Sequence, residues 1–115
     1  MAYEGSCHCG AVTFSVSAEP PTEGMTCNCS HCSRKGLVLT FVAADQFTIE
    51  SGEDHLTDYL FYKHAITHQF CSICGAQAFA LGKSPDGEMR AINLRCVPSI
   101  DIDGLAIQKV DGAGF

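Results

Sequence analysis

The sequence has no tryptophan, only 4 prolines and little positive charge: 7 Lys and Arg stand against 13 Asp and Glu, for a formal net charge of −6. With no basic stripe, nucleic acid is excluded as an expected partner, and an anionic membrane surface would repel the chain. No stretch approaches 18 apolar residues, so no membrane span is predicted. Met1-Ala2-Tyr3-Glu4-Gly5 lacks the basic and apolar regions of a signal peptide, so the reducing cytosol is the expected compartment. No tandem repeat, low-complexity tract or long helical period is present, which argues against a helical bundle. The Pro20-Pro21 pair reads as a turn within the domain rather than a linker.

What the sequence does contain is apolar surface and sulfur. The 115 residues are 46% hydrophobic and 17% charged, which predicts one globular domain over residues 1–115. Composition sets no oligomeric state. Val12, Phe14 and Val16 alternate with Thr13, Ser15 and Ser17, a half-buried strand pattern. Leu37 to Val42, Phe47 to Ile49, Tyr59 to Tyr62, Ile66 to Phe70, Ala76 to Leu81, Ala91 to Leu94 and Leu105 to Val110 are further short strand candidates. Turn signals at Ser51-Gly52 and Ser84-Pro85-Asp86-Gly87 separate some of them. The expected fold class is all-β, with short helical turns near Ser30–Lys35 and Ala43–Gln46.

Eight cysteines in so short a chain need a purpose. Cys7 and Cys9 form C-x-C-G, and Cys71 and Cys74 form C-x-x-C-G. Each pair is a knuckle: a tight turn aims two sulfurs at one point, and the following glycine lets the chain turn back. One knuckle supplies two of the four ligands that tetrahedral zinc requires. Cys7, Cys9, Cys71 and Cys74 together are therefore the expected closed, structural zinc site. Disulfides are the alternative, disfavoured by the compartment and by strain in a C-x-C ring.

Cys27, Cys29 and Cys32 form C-x-C-x-x-C. Three ligands from one loop leave the fourth zinc position open, the layout of a catalytic site. Three thiolates and Zn²⁺ net −1, against −2 for the closed set. A redox cluster, or a structural site completed by His31 or Cys96, are the competing readings. Arg34 and Lys35 follow closely; they are expected either to hold a substrate carboxylate or to form a solvated pair, and both readings stay open.

Taken together, Gly5-Ser6-Cys7-His8-Cys9-Gly10-Ala11-Val12-Thr13-Phe14, Cys27-Asn28-Cys29-Ser30-His31-Cys32 and Phe70-Cys71-Ser72-Ile73-Cys74-Gly75 resemble the glutathione-dependent formaldehyde-activating enzyme family, which also includes centromere protein V-like proteins. The tail, Ile92 to Cys96 and Leu105 to Gly112, is similar to that of short bacterial members. The resemblance implies a zinc-stabilised β-tent fold, of the kind shared with a guanine-nucleotide-exchange accessory protein. It implies a structural zinc on Cys7, Cys9, Cys71 and Cys74 and a catalytic zinc on Cys27, Cys29 and Cys32. The implied activity is that of a carbon–sulfur lyase: reversible addition of glutathione to formaldehyde, giving S-hydroxymethylglutathione. Glutathione or a similar small thiol is then a co-substrate, and an aldehyde the other. The alternative is a non-catalytic zinc module that binds a thiol ligand or a partner protein.

Such chemistry needs a proton carrier, and His31 is the nearest in sequence, although an outward-pointing loop residue is the preferred reading for it. His8 is expected to face solvent, and His68 to share a face with Ile66 and Phe70 as a structural histidine. His55 and His64 carry no signal. Cys96 reads as a small buried hydrophobe, with a ligand role the minority reading. Tyr3, Tyr59, Tyr62 and the seven phenylalanines are assigned to the core, and Asp101 and Asp103 to a tail turn.

Overall fold

The computed structural model describes residues 2–60, 66–84 and 87–111. Its strands are β1 (Tyr3–Ser6), β2 (Thr13–Val16), β3 (Glu23–Cys27), β4 (Leu39–Ala43), β5 (Phe47–Ser51), β6 (Leu56–Tyr59), β7 (Thr67–Cys71), β8 (Phe79–Ser84), β9 (Gly87–Asn93) and β10 (Ala106–Val110). One short α-helix, α1 (Ser30–Lys35), lies between β3 and β4. The all-β expectation holds, and no helix among the described residues is long and apolar enough to cross a membrane.

The strands form two sheets. The smaller has the order β1-β2-β5; the larger runs β10-β3-β4-β9-β8-β7-β6. Pairing is antiparallel except for β10 against β3. The alternation read over Val12–Val16 aims Val12, Phe14 and Val16 inward, each nearly sealed from solvent. Phe14 and Phe47 of the small sheet close on Phe79 of the large one. Ring centroids are 5.8 and 4.8 Å from Phe79 and 5.5 Å from each other, edge-on or tilted. That aromatic trio, with Ile92 and Leu94, is where the sheets are packed together.

The helical turns fall where expected, as α1 and a 3-10 turn over Ala44–Gln46. Asp101 and Asp103 border another 3-10 turn, where Asp101 Oδ1 accepts the Asp103 N–H at 3.2 Å. Two strands, β1 and β3, carry no clear alternation in sequence and each contains a glycine. Gly5 lies opposite Phe14, and a Cβ there would strike the Phe14 ring and the Cys96 carbonyl. The glycine is what lets the aromatic ring cover β1.

Other expectations are corrected. β8 begins at Phe79 rather than Ala76, because Gln77 and Asn93 occupy the preceding backbone: Asn93 Nδ2 donates to the Gln77 carbonyl at 2.9 Å. Tyr3 is core, but Tyr59 and Phe41 are 46% and 47% exposed. Both lie on the face of the large sheet opposite Phe79 and Ile92, in the paired row Phe41–Ala91–Ala80–His68–Tyr59. Phe61, Tyr62, His64 and residues 85–86 of the expected turn lie outside the described residues.

Candidate functional site

The two knuckles are built alike. Cys7 N–H donates to the Val12 carbonyl at 2.9 Å and Cys71 N–H to the Ala76 carbonyl at 3.0 Å. Inside each loop a second bond closes the turn: Gly10 N–H to Cys7 O at 3.3 Å, and Gly75 N–H to Cys71 O at 2.7 Å. Gly10 and Gly75 have φ of 83° and 80°, yet nothing lies within 4 Å of a Cβ built on either. Left-handed backbone, rather than crowding, is the reason for glycine; a non-glycine residue would cost about 1–2 kcal/mol.

Turning on these hinges, the four sulfurs of Cys7, Cys9, Cys71 and Cys74 all come within 4.8 Å of one another. Cys7 Sγ is 3.6 Å from Cys9 Sγ, and Cys9 Sγ is 3.7 Å from Cys71 Sγ. Zinc–sulfur bonds of about 2.3 Å at the tetrahedral angle give edges of roughly 3.8 Å, so the spacing suits such an ion. A disulfide is far shorter, and all eight cysteines are free. Backbone amides point at the sulfurs: Val12 N–H at Cys7 Sγ, 3.3 Å, and Ile73 N–H at Cys71 Sγ, 3.4 Å. The Ala76 and Cys9 amides hold the Cys74 thiol down to about 6. Those two amides favour the Cys74 thiolate, the form a metal needs.

The second cluster is assembled by α1. Cys27 ends β3, Cys29 is the helix N-cap and Cys32 lies one turn on. Cys29 Sγ accepts the Cys32 N–H at 3.3 Å, and Gly36, at φ 65°, ends the helix by donating to Cys32 O. The three sulfurs lie within 4.8 Å of one another, and among the described residues no fourth His, Cys, Asp or Glu joins them. Burial first, and then Cys29 and Cys27, push the Cys32 thiol up to about 12. Three sulfurs this close do not all ionise unaided; a thiophilic divalent cation removes that repulsion, and the donor set fits one.

Cys96 joins neither cluster. Burial, and then the charges of Cys7 and Cys74, raise its thiol to about 11. Its Sγ donates to the Gln77 carbonyl at 3.8 Å. That placement matches a small, partly buried core residue.

His31 does not point outward. It is buried, with its ring stacked on Tyr59 at 5.7 Å and 3.9 Å from the ring of His68. Its Nδ1 is 3.9 Å from Cys32 Sγ. The loop reading fails because α1 lays this residue onto the sheet face that carries the paired residues His68 and Tyr59. His68, expected to be structural, is also buried and is bonded to Gln77. His8 and His55 are exposed.

The hydrogen bonds fix the tautomer. Lys35 Nζ, which only donates, reaches Gln77 Oε1 at 2.8 Å. Gln77 Nε2 must then donate to His68 Nδ1, 3.1 Å away, so His68 is neutral with its proton on Nε2. Burial, then His31 and Lys35, depress His68 to about 4. Burial and Lys35 also lower His31, against a hydrogen bond it donates to Gln77, which raises it. Between pH 6.5 and 4 the unfolded chain therefore binds a proton at residue 68 that the folded chain does not. The stabilisation from a neutral His68 is full above pH 6.5 and lost as pH falls toward 4. His68→Gln is expected to keep about 3 kcal/mol more of its neutral-pH stability at pH 4 than the parent does, read as melting midpoints from pH 7 to 4. Parallel curves would contradict this, since acid loss of a metal acts on both proteins.

The basic pair is engaged elsewhere. Arg34 Nη1 donates to the Ser30 carbonyl at 2.9 Å, and Lys35, besides Gln77, lies over the Phe70 ring at 5.3 Å. Sequence reasoning passed over Gln77, although a lone amide within the apolar run Ala76–Leu81 was the available signal.

A sequence profile for a family described as glutathione-dependent formaldehyde-activating enzyme matches residues 2–103. A Halomonas elongata protein, named as a candidate glutathione-dependent formaldehyde-activating enzyme, is 31% identical over 84 residues, covering 66% of this chain. The chain spans about half, 54%, of that relative's length. A crystal structure of a Rhodobacter sphaeroides protein, a structural-genomics target, superposes with a TM-score of 0.77 at 24% identity, over 91% of this chain and 99% of that one.

Proposed function

This chain belongs to the glutathione-dependent formaldehyde-activating enzyme family, and on that premise we propose that it catalyses reversible addition of a small, glutathione-like thiol to an aldehyde such as formaldehyde, as a carbon–sulfur lyase. The observation that carries the reading is the inequality of the two clusters: four sulfurs gathered in one, three in the other, and among the described residues no fourth ligand atom within 4.8 Å of all three. A complete set suits a structural ion, an incomplete one suits an ion that takes substrate.

In this reading Cys7, Cys9, Cys71 and Cys74 hold structural zinc, and Cys27, Cys29 and Cys32 hold the catalytic one. When bound there, zinc supplies an electrophilic position that lowers the pKa of an incoming thiol. The carbon–sulfur bond forms from the thiol sulfur to the carbonyl carbon. The carbonyl π pair moves to oxygen, and the thiol proton ends on that oxygen. His31, close to Cys32 and favoured as the neutral imidazole, is the chain's candidate to take up and return that proton. Tyr59 and His68 pack its ring in place. Arg34 and Lys35, read from sequence as carboxylate contacts, would have to give up Ser30 and Gln77 to serve so. A reducing cytoplasm is the compartment in which exposed thiols of this kind persist.

The test is exchange between glutathione, ¹³C-formaldehyde and their adduct, followed by NMR with the zinc-loaded protein. Acceleration over the uncatalysed exchange is expected. No acceleration with glutathione or with other small thiols and aldehydes would overturn the assignment and leave a zinc-binding module.

A further inference from the structure

Gln77 is a buried amide, 5% exposed, placed just ahead of β8. Its backbone is held by the end of β9: Asn93 Nδ2 donates to the Gln77 carbonyl at 2.9 Å, and Asn93 N–H to the Ala78 carbonyl at 2.9 Å. Three polar side chains converge on its amide. Lys35 Nζ donates to Oε1 at 2.8 Å, Nε2 donates to His68 Nδ1 at 3.1 Å, and His31 donates to the same Gln77 side chain. An amide side chain accepts through its oxygen, so His31 and Lys35 share Oε1.

This arrangement decides more than the state of His68. A neutral imidazole carries one proton, and the bond made by one nitrogen sets what the other can do. The His31 nitrogen that donates to Gln77 holds the proton, so the other nitrogen holds the lone pair. Turning the amide over would set Nε2 against the Lys35 ammonium, donor against donor. Lys35 therefore holds the amide in one orientation, and the amide holds each ring in one tautomer. The two rings are buried with centroids 3.9 Å apart, and Tyr59 stacks on His31 at 5.7 Å, so neither ring turns over without displacing its neighbour.

We propose that Gln77 is a positioning residue: one amide sets the tautomers of His31 and His68 together and so keeps the His31 lone pair ready for the thiol proton. The inference rests on the proton-carrier role given to His31 above. A proton taken up on that nitrogen makes the ring a cation, whose other N–H still donates to Gln77 Oε1 and becomes a charge-assisted donor. Return of the proton to the oxygen of the adduct restores the neutral ring.

The experiment records long-range ¹H–¹⁵N spectra of ¹⁵N-histidine-labelled, zinc-loaded protein at about pH 7.5, above the ordinary histidine range, where protonated and unprotonated ring nitrogens resonate apart. The parent is expected to show one tautomer for each ring, with the His68 proton on Nε2. Gln77→Leu is expected to give averaged ring-nitrogen shifts at both residues, and a kcat for thiol–aldehyde addition about tenfold lower with KM unchanged. Gln77→Glu keeps an acceptor for His31 but has no donor for His68. There His31 is expected to keep its tautomer and most of the parental kcat, while His68 Nδ1 becomes protonated. A parental His68 proton on Nδ1, or single unchanged tautomers in Gln77→Leu, would overturn the inference whatever the turnover. Parental kcat in Gln77→Leu with averaged shifts would overturn the positioning role and leave the activity standing. If Gln77→Leu does not fold, the parental spectrum and Gln77→Glu decide the question. A parent with the expected tautomers that does not accelerate exchange would overturn the activity proposed above, and with it the use of the amide in catalysis.

Discussion

Cys29→Ser is expected to lower thiol–aldehyde turnover at least about 100-fold while the protein remains folded. The magnitude follows from the electrostatic stabilisation a metal supplies, several kcal/mol, at about 1.4 kcal/mol per factor of ten. The fold is expected to survive because of what Cys29 does apart from any metal. It is the N-cap of α1, its Sγ accepting the Cys32 N–H. Serine is among the preferred N-cap residues, so its hydroxyl takes over that bond. β3 keeps its pairing with β10 and β4, which involves backbone only. The aromatic trio that joins the sheets contains no residue of this loop. Zinc per chain is expected to fall from about two to about one, measured by atomic absorption, with a melting midpoint near the parental value. Parental turnover in Cys29→Ser, or loss of the fold, would contradict the role given to the triad.

Cys74→Ser is expected to do the reverse, removing the cooperative thermal transition and most of the soluble yield. Cys9 and Cys71 are 62 positions apart in sequence, and their knuckles sit on different sheets. The ion that suits their four sulfurs would tie β1–β2 to β7–β8 across the molecule. Metal binding of this kind contributes folding free energy of about 10 kcal/mol or more in small zinc domains, comparable to the whole stability of a domain this size. The buried sulfurs of Cys7 and Cys71 would also be left facing each other without a counter-charge. Chelation of the parent protein should reproduce the effect. Equal damage from Cys74→Ser and Cys29→Ser, by circular dichroism and soluble yield, would contradict the division of labour between the clusters.

Much of this was legible because it is local. A knuckle needs two cysteines and a glycine within a few residues, and the left-handed φ of Gly10 and Gly75 is the physical counterpart of that spelling. The Val12–Val16 alternation shows its buried face without reference to any partner. β1 and β3 were not legible, since Gly5 and Gly24 read as breakers in isolation. Each acquires its reason from a side chain far away in sequence or across the sheet. Gly5 makes room for Phe14, and a Cβ on Gly24 would lie 2.7 Å from Val38 Cγ1.

The histidines show the same boundary. Nothing near His31 in sequence predicts burial, because the surface that buries it comes from β6 and β7, and its neighbour Lys35 reaches Gln77 42 positions on. From residue order alone came the all-β class, the grouping of the cysteines and the short helix, because spacing within a turn governs each of them. Only the packed chain decided that His31 is buried and that its ring lies 3.9 Å from that of His68. Pairing of β10 with β3 joins partners 83 positions apart and the laying of α1 on the sheet joins Lys35 to Gln77, 42 positions on, contacts that no local pattern encodes.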